Sequence, residues 1–253
     1  AKKTLAEAGV AYEAPHGAKL AERLPSVLEV VYLIFNEGYA ATSGEDWIRP
    51  SLCEEALRLG RIIAELAPDE AEVHGLVALM EIQASRLKAR TRTDGTPILL
   101  LDQNRARWDR ILIGRGLAAL ARAAALAQAP GPYRLQAELA ACHARAPTAE
   151  ATDWRRIAAL YDTLAGVTPS PIVELNRAVA HGMAHGPAVG LALVEPLTAE
   201  PALKDYHLLD SVRGDLLLKL GRRDEARAAF ERAAGMTANQ RERAFLLERA
   251  ASA

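Results

Sequence analysis

Apolar residues recur along most of this chain at intervals of three and four, the spacing that gathers them on one face of an α-helix. Over residues 18–36 that face is Leu20, Leu24, Val27, Leu28, Val31, Leu33 and Phe35, with Pro25 either in a first turn or at a kink. A loop with Gly38 and Gly44 covers 36–46, and the pattern resumes over 47–66 and 69–90. Pro68 divides these two segments and Asp69 is placed to cap the second, which predicts a helical hairpin. Asp94-Gly95 and Pro97 end it, and 98–101 is a short apolar run that can be extended but is too short for a sheet. Further helices are predicted over 108–128, 133–146, 154–164, 172–183, 188–197, 202–220, 224–234 and 239–250, punctuated by prolines at 130, 132, 147, 169 and 171. At the start, Lys2, Lys3, Leu5 and Ala8 form a basic amphipathic turn that Gly9 ends, so 1–9 reads as the end of a helix whose beginning precedes Ala1.

The pattern repeats toward the end of the chain. Counting from His207, Gly214, Ala226, Phe230 and Ala233 occupy positions 8, 20, 24 and 27 of a 34-residue unit, the tetratricopeptide spacing. Small residues at these places let two helices approach, and Phe230 fills the space between neighbouring pairs. Ala178, Gly190 and Val194 mark a weaker copy, giving degenerate units at about 172–197 and 207–238. A single such unit cannot bury its faces alone, so the upstream helices must complete the stack. The expected fold is all-α, antiparallel helical pairs stacked in a tetratricopeptide-like superhelical array over 18–253, preceded by a linker through residue 17.

Composition narrows the function. With 31 Lys and Arg against 32 Asp and Glu, the net charge of −1 gives no broad cationic field for a phosphate backbone, which argues against a freestanding DNA binder. Cys53 and Cys142 both lie in apolar helical stretches and read as packing residues of a reducing compartment. No uncharged apolar run reaches the roughly 20 residues a membrane span needs, and no signal peptide is apparent, so the cytoplasm is expected.

Candidate chemistry is sparse. The densest polar cluster runs from Asp102 through Gln103, Asn104, Arg105, Arg107 and Trp108 to Asp109. One reading is structural, with Asp102 as a helix cap, Arg105 and Arg107 paired to nearby acids and Trp108 in the core; the other is a site for an anion or amide-rich ligand. The turn of Phe35, Asn36, Glu37, Gly38 and Tyr39 is expected to end a helix, with Gly38 at a positive dihedral. His181 and His185 are four apart, but Gly182, Gly186 and Pro187 argue against a continuous helix and for turn histidines. His74, His143 and His207 stand alone and read as structural imidazoles. Arg86, Lys88, Arg90 and Arg92 form a short basic run that reads as a solvated helix end. No catalytic residue, metal ligand or cofactor site is expected, and no activated nucleophile is identifiable.

Several stretches together resemble one family. These are residues 32–39 (Tyr-Leu-Ile-Phe-Asn-Glu-Gly-Tyr), the cluster at 102–109, Gly131-Pro132-Tyr133, Ala141-Cys142-His143-Ala144, Thr152-Asp153-Trp154 and Leu175-Asn176-Arg177-Ala178-Val179-Ala180, with 206–209 and 220–222. The succession is similar to the C-terminal extension of extracytoplasmic-function RNA polymerase sigma factors that carry tetratricopeptide-like repeats. The resemblance covers almost the whole chain and implies that 1–17 are the tail of a preceding promoter-binding region and its linker. It implies a regulatory or protein-interaction role with no catalysis, RNA polymerase and the parent's N-terminal sigma regions as partners, promoter DNA contacted only through those regions, and a regulatory protein as a further partner. Asn36, Glu37, Tyr39, Asp102, Gln103, Arg105, Trp108 and Asp109 are its signature positions, with no catalytic role attached. Where related sequences read Asp-Gln-Asp-Arg-Ser-Arg-Trp-Asp, this chain has Asn104 and Ala106, one carboxylate and one hydroxyl fewer. The alternative function is a small-molecule sensor, with the 35–39 turn and the 102–109 cluster lining a pocket between helix layers.

Overall fold

The computed structural model describes residues 18–43, 46–126 and 128–253. The helix end expected over 1–9, the linker through residue 17 and Gly44 of the first loop lie outside the described residues, as does the side chain of Leu20. Among the described residues the helices are α1 (Ala18–Tyr39), α2 (Pro50–Leu66), α3 (Ala71–Ala84), α4 (Arg110–Ala125), α5 (Pro132–Arg145), α6 (Trp154–Val167), α7 (Pro171–His185), α8 (Pro187–Val194), α9 (His207–Lys219), α10 (Arg223–Met236) and α11 (Gln240–Ser252). Successive helices pack as antiparallel pairs, and no β-sheet is present among the described residues. A lone bridge joins Thr91 and Pro97, and the apolar run that follows closes into a short 3-10 turn, Leu100–Asp102.

The first half is organised around α3. Val73, Leu76, Ala78, Leu79, Met80 and Ile82 are all buried, so this helix is apolar around its circumference and needs cover on every side. It receives that cover from α2, α4 and α5. Glu81 is the exception, a carboxylate only 1% exposed; its Oε1 lies 2.8 Å from Arg61 of α2 and 3.4 Å from Arg115 of α4, which ties α3 to both neighbours. Glu72, at the other end of α3, accepts backbone N–H bonds from Gly131, Tyr133 and Arg134 and so caps α5.

The second half carries the repeat. Phe230 of α10 is fully buried, and a Cβ on Gly214 of α9 would stand 2.8 Å from its ring, closer than real contacts permit. Ala226 and Ala233 are also fully buried, so the four repeat positions meet at the α9–α10 interface. Gly221, at φ +74°, makes the turn between the two helices. The α7–α8 pair stacks on α9. A shared apolar layer of Leu135, Leu139, Ile157, Leu160, Leu164 and Ala180 joins α5, α6 and α7, so the two halves are one continuous stack. The last helix also reaches the first loop: Asn239, which caps α11, donates from Nδ2 to the carbonyls of Asp46 and Ala41.

Local expectations fail where a tertiary partner replaces a local one. Of the two placements expected for Pro25, the first turn is excluded, because Pro25 falls inside α1. α2 starts at Pro50, later than expected, with proline in its first turn, where no N–H is needed. Asp69 does not cap α3; the helix starts at Ala71, whose N–H donates to Gln128 Oε1, and Gln128 Nε2 returns a bond to the Asp69 carbonyl. Gly38 does not take a positive φ and does not end a helix. It lies within α1, where a Cβ would sit 2.7 Å from the Cys53 backbone nitrogen, so it is the close approach of α2 that requires glycine there.

Candidate functional site

Asn36, Glu37 and Tyr39 occupy the last turn of α1. Glu37 closes the loop to α2: one carboxylate oxygen accepts from Arg49 Nη1 at 2.7 Å, the other from the Thr42 backbone and hydroxyl at 3.2 and 3.0 Å. Asn36 stands one turn after Tyr32, whose hydroxyl donates to Gln136 Oε1 at 3.0 Å. Tyr39 offers its carbonyl to Arg90 Nη2 at 2.9 Å, and the Arg90 guanidinium stacks 3.5 Å over the Tyr39 ring and 4.4 Å over Trp47.

The 102–109 cluster divides into separate tasks. Asp102 is exposed and caps no helix. Its expected task falls to two neighbours: Asn104 caps the short turn Arg105–Arg107, and Asp109 caps α4 by accepting from Ile111 and Leu112. Arg105 is buried and pairs with no acid. Nη1 donates to the Ala146 and His143 carbonyls and Nη2 to Thr152 Oγ1, so a guanidinium satisfies the C-terminal end of α5, where the helix dipole is negative. Trp108 is buried in the core beside Ile113 and Leu120, its indole nitrogen without a partner. Gln103 is buried too; its amide nitrogen donates to the Ile98 carbonyl while its oxygen stays unpartnered.

Tyr39 and Gln103 line one cavity. Its volume is about 270 Å³, it lies between the first hairpins and α11, and Arg86, Arg90, Phe245 and Leu246 line it too. Asn36, Glu37, Asp102, Arg105, Trp108 and Asp109 do not line it. Arg86 and Arg90 were expected on a solvated helix end, yet they are only 6% and 7% exposed. Physically, α3 stops at Ala84 and a 3-10 turn, Leu87–Ala89, follows, so the helical period that would have put these residues outward is lost. Burial holds the Arg90 guanidinium below its ordinary pKa, with Arg86 adding repulsion. Their sequence signal was the four-residue spacing of Arg86 and Arg90 against the exposed Lys88 between them.

The histidines take several roles. His74 bonds the Pro68 carbonyl at 2.8 Å. His181 and His185 share a continuous α7, contrary to the expected break, because Gly186 at φ +106° ends the helix only after both. Their rings lie 5.5 Å apart and His181 contacts Asp162 at 3.0 Å; among the described residues no group of three or more potential ligands can hold a metal ion. His207 lies 3.0 Å from Glu242, whose other oxygen accepts from Thr237. His143 is driven down to about 4, first by burial and then by Arg86 and Arg105. No helix among the described residues is long and apolar enough to cross a membrane.

Comparison with known proteins places these residues in context. Residues 23–124 match a family of unknown function, DUF6596. That stretch contains Asn36 through Tyr39, Arg86, Arg90 and the whole 102–109 cluster. The chain is also similar to an uncharacterized protein of Rhizobium meliloti (strain 1021), 45% identical over 246 residues that make up 97% of this chain. It spans 57% of that relative's length. No solved structure matches the chain.

Proposed function

We propose that this chain is the regulatory, protein-binding extension of an extracytoplasmic-function RNA polymerase sigma factor, acting by contact with the parent's sigma regions and RNA polymerase rather than by catalysis. The sigma-factor half of this reading rests on the distributed motifs at 32–39, 102–109, 131–133, 141–144, 152–154 and 175–180. The interaction half is supported by the stacked helical pairs, an architecture that presents broad preformed surfaces.

The observation that carries a protein contact is the outer face of α1. Leu28, Val31 and Phe35 bury one side of this helix against α2 and α3, while Val27, Val30 and Leu33 remain 41%, 55% and 59% exposed on the other. An exposed apolar stripe along a helix is a surface for a further packed element. A binding titration of this chain against the sigma regions and against RNA polymerase tests the proposal. Saturable binding weakened at least about tenfold by Val30→Asp with Leu33→Asp is the expected result, equivalent to about 1.4 kcal/mol. No binding to either partner would overturn it.

A further inference from the structure

A second cavity, of about 280 Å³, lies between α3, α5, α6 and α7, and Arg86 lines it as well as the first. Its walls combine Leu139, Ile157 and Trp154 with the polar side chains of Gln83, Gln136 and Asn176. No aspartate or glutamate lines it.

Arg86 is the anomaly. It is 94% buried by its 6% exposure, its Nε has no hydrogen-bond partner, and none of the described carboxylates forms an ion pair with it. The other two buried guanidiniums also leave Nε without a partner, but their Nη groups donate, Arg90 to the Tyr39 carbonyl while stacked on two aromatic faces, and Arg105 to the carbonyls at the end of α5 and to Thr152. Arg86 has only the more distant rings of Tyr39 and Trp108, each 5.9 Å from its guanidinium carbon. A cation removed from water without a counter-charge is strongly disfavoured, so an anion entering beside Arg86 would offset that cost. Two further polar atoms in the same wall lack partners, Gln83 Oε1 and His143 Nδ1.

We infer that this cavity binds a small organic acid, its carboxylate on Arg86 and its apolar body against Leu139, Ile157 and Trp154. A planar guanidinium matches a carboxylate through paired N–H donors, and the amides of Gln83, Gln136 and Asn176 supply hydrogen bonds for polar substituents. Without an acidic group in the lining, an amino group has no counter-charge, so the acid carries no ammonium. His143 is neutral at physiological pH because burial and the two arginines hold its pKa at about 4, so the wall offers one positive charge. One charge and an apolar wall suit a monoanion better than a phosphate dianion.

The test titrates the chain at neutral pH with benzoate, phenylpyruvate and isovalerate, and in parallel with benzamide and inorganic phosphate, following heat and the NMR signals of Trp154 and His143. At least one of the three carboxylates is expected to bind one to one and perturb both residues, with benzamide weaker than benzoate by about tenfold or more. Arg86→Gln is expected to abolish the preference for benzoate over benzamide, and Arg86→Met to melt no lower than the unsubstituted chain because it removes an unpaired buried charge. If neither variant folds, the carboxylate-to-amide ratio and the shifts of Trp154 and His143 in the unsubstituted chain decide. Absence of binding by all three carboxylates up to about 10 mM, equal affinity for benzoate and benzamide, or binding of phosphate alone would overturn the inference.

Discussion

Phe230 illustrates how much one side chain holds in this fold. It is fully buried, packed against Gly214, and covered by the Arg249 guanidinium 4.4 Å from its ring, while Arg249 is itself paired with Asp215. Truncation therefore leaves a cavity at the centre of the α9–α10–α11 contacts; Phe230→Ala is expected to cost about 3 to 5 kcal/mol in equilibrium denaturation, and a loss near zero would contradict this packing. Gly38 makes the opposite demand. Adding one methyl forces it against backbone rather than a movable side chain, so Gly38→Ala is expected to destabilise by about 1 to 3 kcal/mol, read in the same assay. His143 gives the pH dependence. Its folded-state pKa of about 4 lies below the ordinary value of 6.5, so the unfolded chain binds the extra proton between those values and stability falls as pH drops through that window. The stability carried by neutral His143 is complete above 6.5 and amounts to roughly 3 kcal/mol. Denaturation at a series of pH values should show a smaller acid loss for His143→Asn; parallel profiles would refute the assignment.

At the scale of elements, legibility followed the range of the interaction that decides each boundary. Apolar periodicity located the helices, because each must turn one face inward whatever its partner is. The repeat positions Gly214, Ala226, Phe230 and Ala233 were readable because their spacing encodes a contact between adjacent helices. Caps were readable only when local. Asp153, directly before the helix that it caps, accepts from the Arg156 N–H, whereas the start of α3 depends on Gln128 and the start of α5 on Glu72, both far away in sequence. The same limit hid Arg86 and Arg90, which look like a solvated basic run until Tyr39, Trp47 and Trp108 are brought over them. Tyr39 and Gln103 were singled out and do share a cavity wall, but the arginines between them were missed. Asp109 caps α4 by a local bond, so Asp109→Ala is expected to cost about 1 kcal/mol, measured by thermal or chemical denaturation.

For the whole molecule, charge and surface bear on function more than any single group. Near-neutral charge, 31 basic against 32 acidic residues, predicts that the isolated chain has no sequence-specific affinity for promoter DNA at physiological salt, which a mobility-shift titration would check. Its proposed work is done by contact, through the apolar outer face of α1 and the stack behind it. In vitro transcription from the parent's promoter, comparing the full proposed sigma factor with one ending before Ala18, tests that role most directly. The account predicts that output falls on truncation although the sigma regions still bind the promoter. Unchanged output from the truncated factor would contradict it.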